Sequence, residues 1–197
     1  GFKSRWTAPK QLELHLNRDS TGAPGGGKRK KIGRSRGASS AMTSAWTVRS
    51  PELIERILQE TEGGRLVLVV LNQVQRACEL YERLREKAGA KPDVVLLHAR
   101  MRLRDRKASY EKKLAAPVPP AGRIIVATQV LEAGVDIDAD ALFTELCPWP
   151  SLAQRLGRLN RRGSKREAVA VVFEPLPPER KQDGSRKQYR ERRTREA

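Results

Sequence analysis

Residues 123–136, RIIVATQVLEAGVD, carry the reading on which the fold rests. The apolar run from Ile124 to Ala127 predicts a strand buried on both faces, closed by the polar pair Thr128 and Gln129. Gly134 and Asp136 then mark a loop. Shortly downstream, residues 154–162 read QRLGRLNRR, predicted as an arginine-rich helix. Arg158 and Arg161 stand three positions apart, so on a helix they share one face. Two guanidinium forks on one face suit an anion such as a nucleotide γ-phosphate, where lysine acts only as a point charge. A string like this in isolation also fits a solvated surface helix, and the strand-loop before it shifts the balance.

Working outward, further elements alternate. Ser50-Pro51 supplies an N-cap and a first helical position, and Leu53, Ile54, Ile57 and Leu58 form a stripe that ends before Gly63-Gly64. Residues 66–71, LVLVVL, read as a strand buried on both faces, followed by a helix with Val74, Ala77, Cys78, Tyr81 and Leu84 along one side. Asp93-VVLLHA predicts another strand and residues 102–114 another helix. Residues 141–146 (ALFTEL) and 168–173 (AVAVVF) predict two more strands. Strands alternating with helices imply an α/β fold, a mostly parallel sheet covered on both faces. Ligands of such sheets gather outside the carboxyl ends of the strands. Asn72, His98, Thr128 and Glu145 fall at those ends.

The chain has 197 residues and a net charge of +17, unevenly spread. Residues 1–50 hold 11 basic and 2 acidic groups, residues 174–197 hold 8 and 5, and residues 51–173 hold 21 and 16. A polyanionic partner follows from the balance, with the tails adding nonspecific affinity. Two cysteines, Cys78 and Cys147, are too few for a disulfide framework; buried reduced thiols in a cytosolic protein are expected. His15 and His98 show no ligand spacing, so no metal site is expected. No apolar run in these residues reaches membrane-spanning length and none reads as a signal peptide, so no membrane partner is expected. A start at Gly1 rather than Met predicts a piece of a longer protein.

Residues 1–50 are expected to hold a short strand around Leu12, Leu14 and Leu16, able to pair with a sheet edge, and a disordered basic linker. Within the linker, GAPGGGKR at 22–29 imitates a phosphate-binding loop. It fails at Arg29, where Ser or Thr must bind magnesium, and no apolar helix follows. Residues 51–173 form the predicted domain and residues 174–197 a basic tail.

Three stretches carry a resemblance: LVVLNQVQRACELYERL at 68–84, LLHARMRLRDR at 96–106 and ATQVLEAGVDIDADALFTELCPWPSLAQRLGRLNRRG at 127–163. In order and separation, the last resembles motifs V and VI of superfamily 2 helicases, within the second RecA-like lobe. Together the three resemble the CRISPR-associated helicase-nuclease of type I Cascade systems, an antiviral enzyme of the prokaryotic cytoplasm. The resemblance implies that Arg158 and Arg161 are arginine fingers, which stabilise charge on a transferring phosphoryl group by up to about 10³–10⁵ in rate. It implies nucleotide contact for Gly134, Asp136 and Gln154, with Arg155 ordering the interface. Asn72, Gln73, His98, Arg100, Arg106 and Thr128 would line the path of single-stranded DNA.

Gln73 stands where the family has Thr, and Ala99 and Met101 replace its Ser and Phe. These departures touch the strand contacts and leave the nucleotide side intact. Bland readings stand beside the functional ones: Asp136 capping a turn, His98 closing a strand, Arg106 pairing with Glu111. Trp149, between Pro148 and Pro150, is expected to pack in a rigid turn rather than stack on a base.

These residues contain no valid P-loop, no Asp-Glu-x-His segment and no paired His-Asp nuclease motif. The resemblance therefore implies half of a motor. ATP and Mg2+ would be bound mainly by a first RecA-like lobe, a Cascade-type effector complex would recruit the whole, and the fragment alone would be inactive. Two competing readings are a non-catalytic nucleic-acid-binding module with degenerate motor motifs and an RNA-directed superfamily 2 helicase. The intact QRLGRLNR argues against the former.

Overall fold

Among the described residues, strands alternate with helices much as the apolar pattern predicts. The computed structural model describes residues 10–15, 46–131, 136–165 and 167–175, without the side chains of Leu103, Arg106, Glu111 and Lys112. The expected linker with its GAPGGGKR imitation, the tail past 175, Gly134 and the Arg106 side chain with its Glu111 pairing lie outside the described residues.

The elements run β1 (Gln11–His15), α1 (Pro51–Thr61), β2 (Leu66–Val70), α2 (Val74–Ala88), β3 (Asp93–Leu97), α3 (Leu103–Ser109), β4 (Arg123–Ala127), β5 (Ala141–Glu145), α4 (Trp149–Leu156) and β6 (Val169–Phe173). A wider π-helical turn, Tyr110–Leu114, extends α3, and a 3₁₀ turn, Gln129–Leu131, follows β4. The sheet order is β1-β6-β5-β2-β4-β3 and every neighbouring pair is parallel.

Parallel strands need covered crossovers, so side chains of the central strands alternate between two apolar layers. Val67 and Val69 join Ile124, Val126, Phe143 and Phe173 in the layer covered by α1 and α2. There Leu53, Ile57, Leu80 and Leu84 are fully buried, each contributing about 1.5–3 kcal/mol over exposure. Leu68 and Val70 face the other way, joining Ile125, Leu97, Leu142 and Ala170 beneath Leu131, Ile137 and Leu159.

Four expectations are corrected. Along α2 the buried line is Arg76, Ala77, Leu80 and Leu84, because Arg76 turns inward toward a buried carboxylate; Cys78 and Tyr81 are only half-buried. Cys147, in the loop after β5, is half-buried too, so neither thiol is a core residue. β1 forms and pairs with β6 at one end of the sheet as expected, but its alternation is inverted. Leu12 and Leu14 are exposed, while Glu13 pairs with Arg56 at 3.1 Å and His15 stacks on Trp46 at 3.7 Å. Lastly, the arginine-rich helix stops at Leu156, leaving Arg158 and Arg161 on the turn beyond it.

Candidate functional site

Asn72, Thr128 and Glu145 meet where the sheet order reverses, since β2 has β4 on one side and β5 on the other. At such a switch point the carboxyl ends of the strands open a crevice. Glu145 closes β5 and is fully buried. Its Oε1 accepts from Arg76 Nη1 at 2.7 Å and its Oε2 from the Asn72 backbone N–H at 2.7 Å. The Asn72 side chain is used at both ends: Nδ2 donates to Leu146 O at 2.9 Å, and Oδ1 accepts from Arg155 Nη2 at 3.0 Å. Arg155 Nη1 donates to Thr144 Oγ1 at 2.8 Å and to Glu145 O at 3.3 Å. With 2 % exposure, Arg155 is spent inside the lobe, holding the foot of α4 against β2 and β5. Gln129 Nε2 reaches Asn72 O at 3.4 Å.

Around this hub, Gln73 and Arg100 are exposed and His98 is half-buried at the end of β3. Burial, then the charge of Arg100, holds the His98 imidazole below its ordinary value. Thr128 ends β4 with its N–H on Leu97 O at 3.1 Å, and its hydroxyl is buried.

A second cluster forms around the arginine-bearing turn. The helix ends because the chain after Gly157 is captured by residues 136–140, DIDAD. Ala139 N–H donates to Arg158 O at 2.9 Å, and Asn160 N–H donates to Ala139 O at 2.9 Å, a bridge that pairs Ala139 with Leu159. Asn160 is fully buried with φ 44°, a left-handed conformation that asparagine tolerates better than most residues. Its Nδ2 donates to Lys165 O at 3.0 Å and its Oδ1 accepts from Lys165 N–H at 3.1 Å. Asp138 Oδ1 accepts the Arg161 backbone N–H at 2.7 Å, and Lys165 Nζ reaches Asp138 O at 2.6 Å and Asp140 Oδ1 at 2.8 Å.

The same cluster joins the two sequence segments read together at the outset. Arg161 Nη1 lies 3.0 Å from Asp136 Oδ1. Asp136 is exposed, Arg158 is partly exposed on the turn, and Gln154 is exposed on the last turn of α4. One guanidinium with a carboxylate partner and a second on the same turn can receive a phosphate, since exchanging one anion for another costs little desolvation at a half-exposed site.

Sequence reasoning overlooked Asn160, Asp138, Lys165 and Arg76. A signal existed for Asp138: DIDAD alternates polar with apolar, and Ile137 and Ala139 are buried while Asp136 is exposed. Among the described residues no three His, Cys, Asp or Glu converge to hold a metal ion, and no helix is long and apolar enough to cross a membrane.

The family model for the CRISPR-associated nuclease/helicase Cas3, C-terminal, matches residues 63–164, just over half of the chain. The chain belongs to the Cas3 family. The Cas3 endonuclease/helicase of Escherichia coli (strain K12) is 38% identical over 117 residues, which cover 57% of this chain and 13% of that protein. A Cas3 helicase of Thermoproteus tenax is 34% identical over 121 residues, or 61% of this chain and 20% of that protein. The chain thus matches a fifth or less of these curated relatives. The crystal structure of T. fusca Cas3-ADP aligns with a TM-score of 0.58 at 23% identity, covering 87% of this chain and 19% of that one. That likeness establishes the RecA-like fold, and the family match makes the chain the C-terminal helicase lobe of a Cas3 protein.

Proposed function

We propose that this lobe is the second half of an ATP-dependent translocase that moves along single-stranded DNA and feeds it to a nuclease in CRISPR interference. The observation that carries the reading is the Arg161–Asp136 pair at 3.0 Å on a turn braced by Asn160, Asp138 and Lys165. Bracing supports a role in charge stabilisation, because a pre-set guanidinium loses little on meeting developing charge. Arg158 and Arg161 would face the γ-phosphate across the cleft between this lobe and the first RecA-like lobe. Asp136, Gln154 and Gly134 would lie beside the nucleotide. ATP, when bound, supplies the phosphoryl bond whose hydrolysis separates the lobes, and Mg2+ falls to the first lobe.

Arg155 acts as a positioning residue, its guanidinium fixing Asn72 at the crevice. The strand would pass Asn72, Gln73, His98, Arg100, Arg106 and Thr128. The exposed amide of Gln73 and the exposed Arg100 fit a phosphate backbone. DNA is favoured over RNA by the resemblance to the CRISPR-associated helicase-nuclease, and a 32% identical relative, RecG of Acidithiobacillus ferridurans, is named an ATP-dependent DNA helicase. The partners of the whole protein would be its first lobe and a Cascade-type complex, in the cytoplasm of a prokaryote. On this reading the isolated lobe hydrolyses no ATP, lacking the phosphate cradle.

The test is ATP hydrolysis by the full-length protein with and without single-stranded DNA, beside Arg158→Ala. Stimulation by DNA that falls by about 10³-fold or more in the variant is expected. Turnover unchanged in Arg158→Ala removes the finger. A folded parent with no turnover leaves a nucleic-acid-binding module.

A further inference from the structure

Trp149 is 71% exposed, contrary to the packing expected of a tryptophan between two prolines. Large aromatic side chains are usually highly buried, so one held in water calls for a reason. Pro148 occupies the N-cap of α4 with φ −54° and ψ 145°, Trp149 begins the helix and Pro150 follows. Two pyrrolidine rings fix the backbone on both sides of the indole, so presenting it costs little ordering. Leu146, three residues earlier at the same edge, is 42% exposed, and its carbonyl oxygen holds the Asn72 amide at 2.9 Å. Leu146 therefore adjoins the polar residue at the centre of the crevice, three positions before Trp149.

We infer that Trp149 is a stacking platform for a base of the bound single strand, placed beside Asn72 so that backbone contacts and base stacking act on neighbouring nucleotides. This inference rests on the translocase reading above. The adenine base of ATP is the other source of the same chemistry, and the test below separates the two. Trp149 begins α4 shortly after Leu146, whose carbonyl holds Asn72 of the crevice, while Arg158 and Arg161 follow the other end of the helix. The net charge of +5 over residues 51–173 (21 basic less 16 acidic) and the exposed Arg100 suit a polyanion in a way a neutral protein surface does not require. Every base has a π-face, so such a platform grips a strand without reading its sequence.

The test measures binding of a labelled oligo(dT) strand, and of an abasic strand of the same length, to the full-length protein by fluorescence anisotropy. Trp149→Ala is expected to weaken oligo(dT) binding about 5- to 150-fold, and Trp149→Phe to restore most of it. The wild type should prefer the base-bearing strand and Trp149→Ala should lose that preference. The dependence of affinity on salt should be the same in both, because an indole neutralises no phosphate.

Oligo(dT) affinity unchanged in Trp149→Ala overturns the inference and leaves the translocase standing if DNA still stimulates ATP hydrolysis. A raised KM for ATP with strand affinity intact assigns the ring to adenine instead. A lowered melting temperature in both variants places it against another part of the protein. A wild type that neither binds oligo(dT) nor is stimulated by it sinks both readings.

Discussion

Asn160 sits at φ 44° inside the arginine-bearing turn, and its side chain closes that turn with two hydrogen bonds to the Lys165 backbone. Alanine would keep neither the bonds nor an easy left-handed backbone, so Asn160→Ala is expected to cost about 1–3 kcal/mol in urea denaturation. Asn160→Gly relieves the backbone and loses only the bonds, and should cost less. Both should lower DNA-stimulated turnover in the full-length protein while leaving KM for ATP nearer its original value, since the turn positions the arginines rather than binding ATP itself. The spacing of Arg158 and Arg161 made them legible as a pair. Their place on a turn was not, because the helix ends through a bridge to Ala139, about 20 positions upstream, beyond the reach of a local helix pattern. Gly157 and Asn160 were the local hints, both residues at home at helix ends.

Between elements, Glu145 ties β5 to α2 through Arg76 and to the chain after β2 through Asn72. Removing one member of a buried ion pair strands the other, so Glu145→Ala is expected to destabilise the lobe by about 3–5 kcal/mol. Glu145→Gln can still accept the Asn72 N–H and should lose less. Exchanging Arg76 and Glu145 together for methionine should be far milder than either single loss, a nonadditivity that urea denaturation of the single and double variants reads directly. The strands were legible because an apolar run of strand length between turn residues has few other uses. The inward face of α2 was misjudged at Arg76, since its partner lies 69 residues away and no helical period announces a buried guanidinium. The inverted β1 has the same cause: Glu13 turns inward to Arg56, leaving two leucines in water.

For the molecule as a whole, two of the described groups tie stability to acidity below neutral pH with the same sign. His98 lies below its ordinary value through burial and the neighbouring Arg100. Asp93 is also lowered: burial opposes this, but its hydrogen bonds to Lys113 and Arg123 outweigh it. In both cases the unfolded chain takes up the proton first as pH falls, so the folded state loses ground. The first loss is expected to begin near the ordinary imidazole value, about 6.5, and the second below about 3.9. Urea midpoints measured against pH should show both, with His98→Asn flattening the upper window and Asp93→Asn the lower. The layered α/β architecture was readable from alternation alone. The sheet order was not, for it depends on which strands meet in space. One consequence of that order concerns time. Among the described residues, β1 comes first and has β6 as its only sheet neighbour, and their paired residues stand about 160 positions apart. At a ribosomal pace of about 5–20 residues per second, β1 waits roughly 8–30 s for its partner to be made. A nascent chain therefore carries β1 without its partner while β2 to β5 are already able to assemble, and β1 joins the sheet only when β6 arrives.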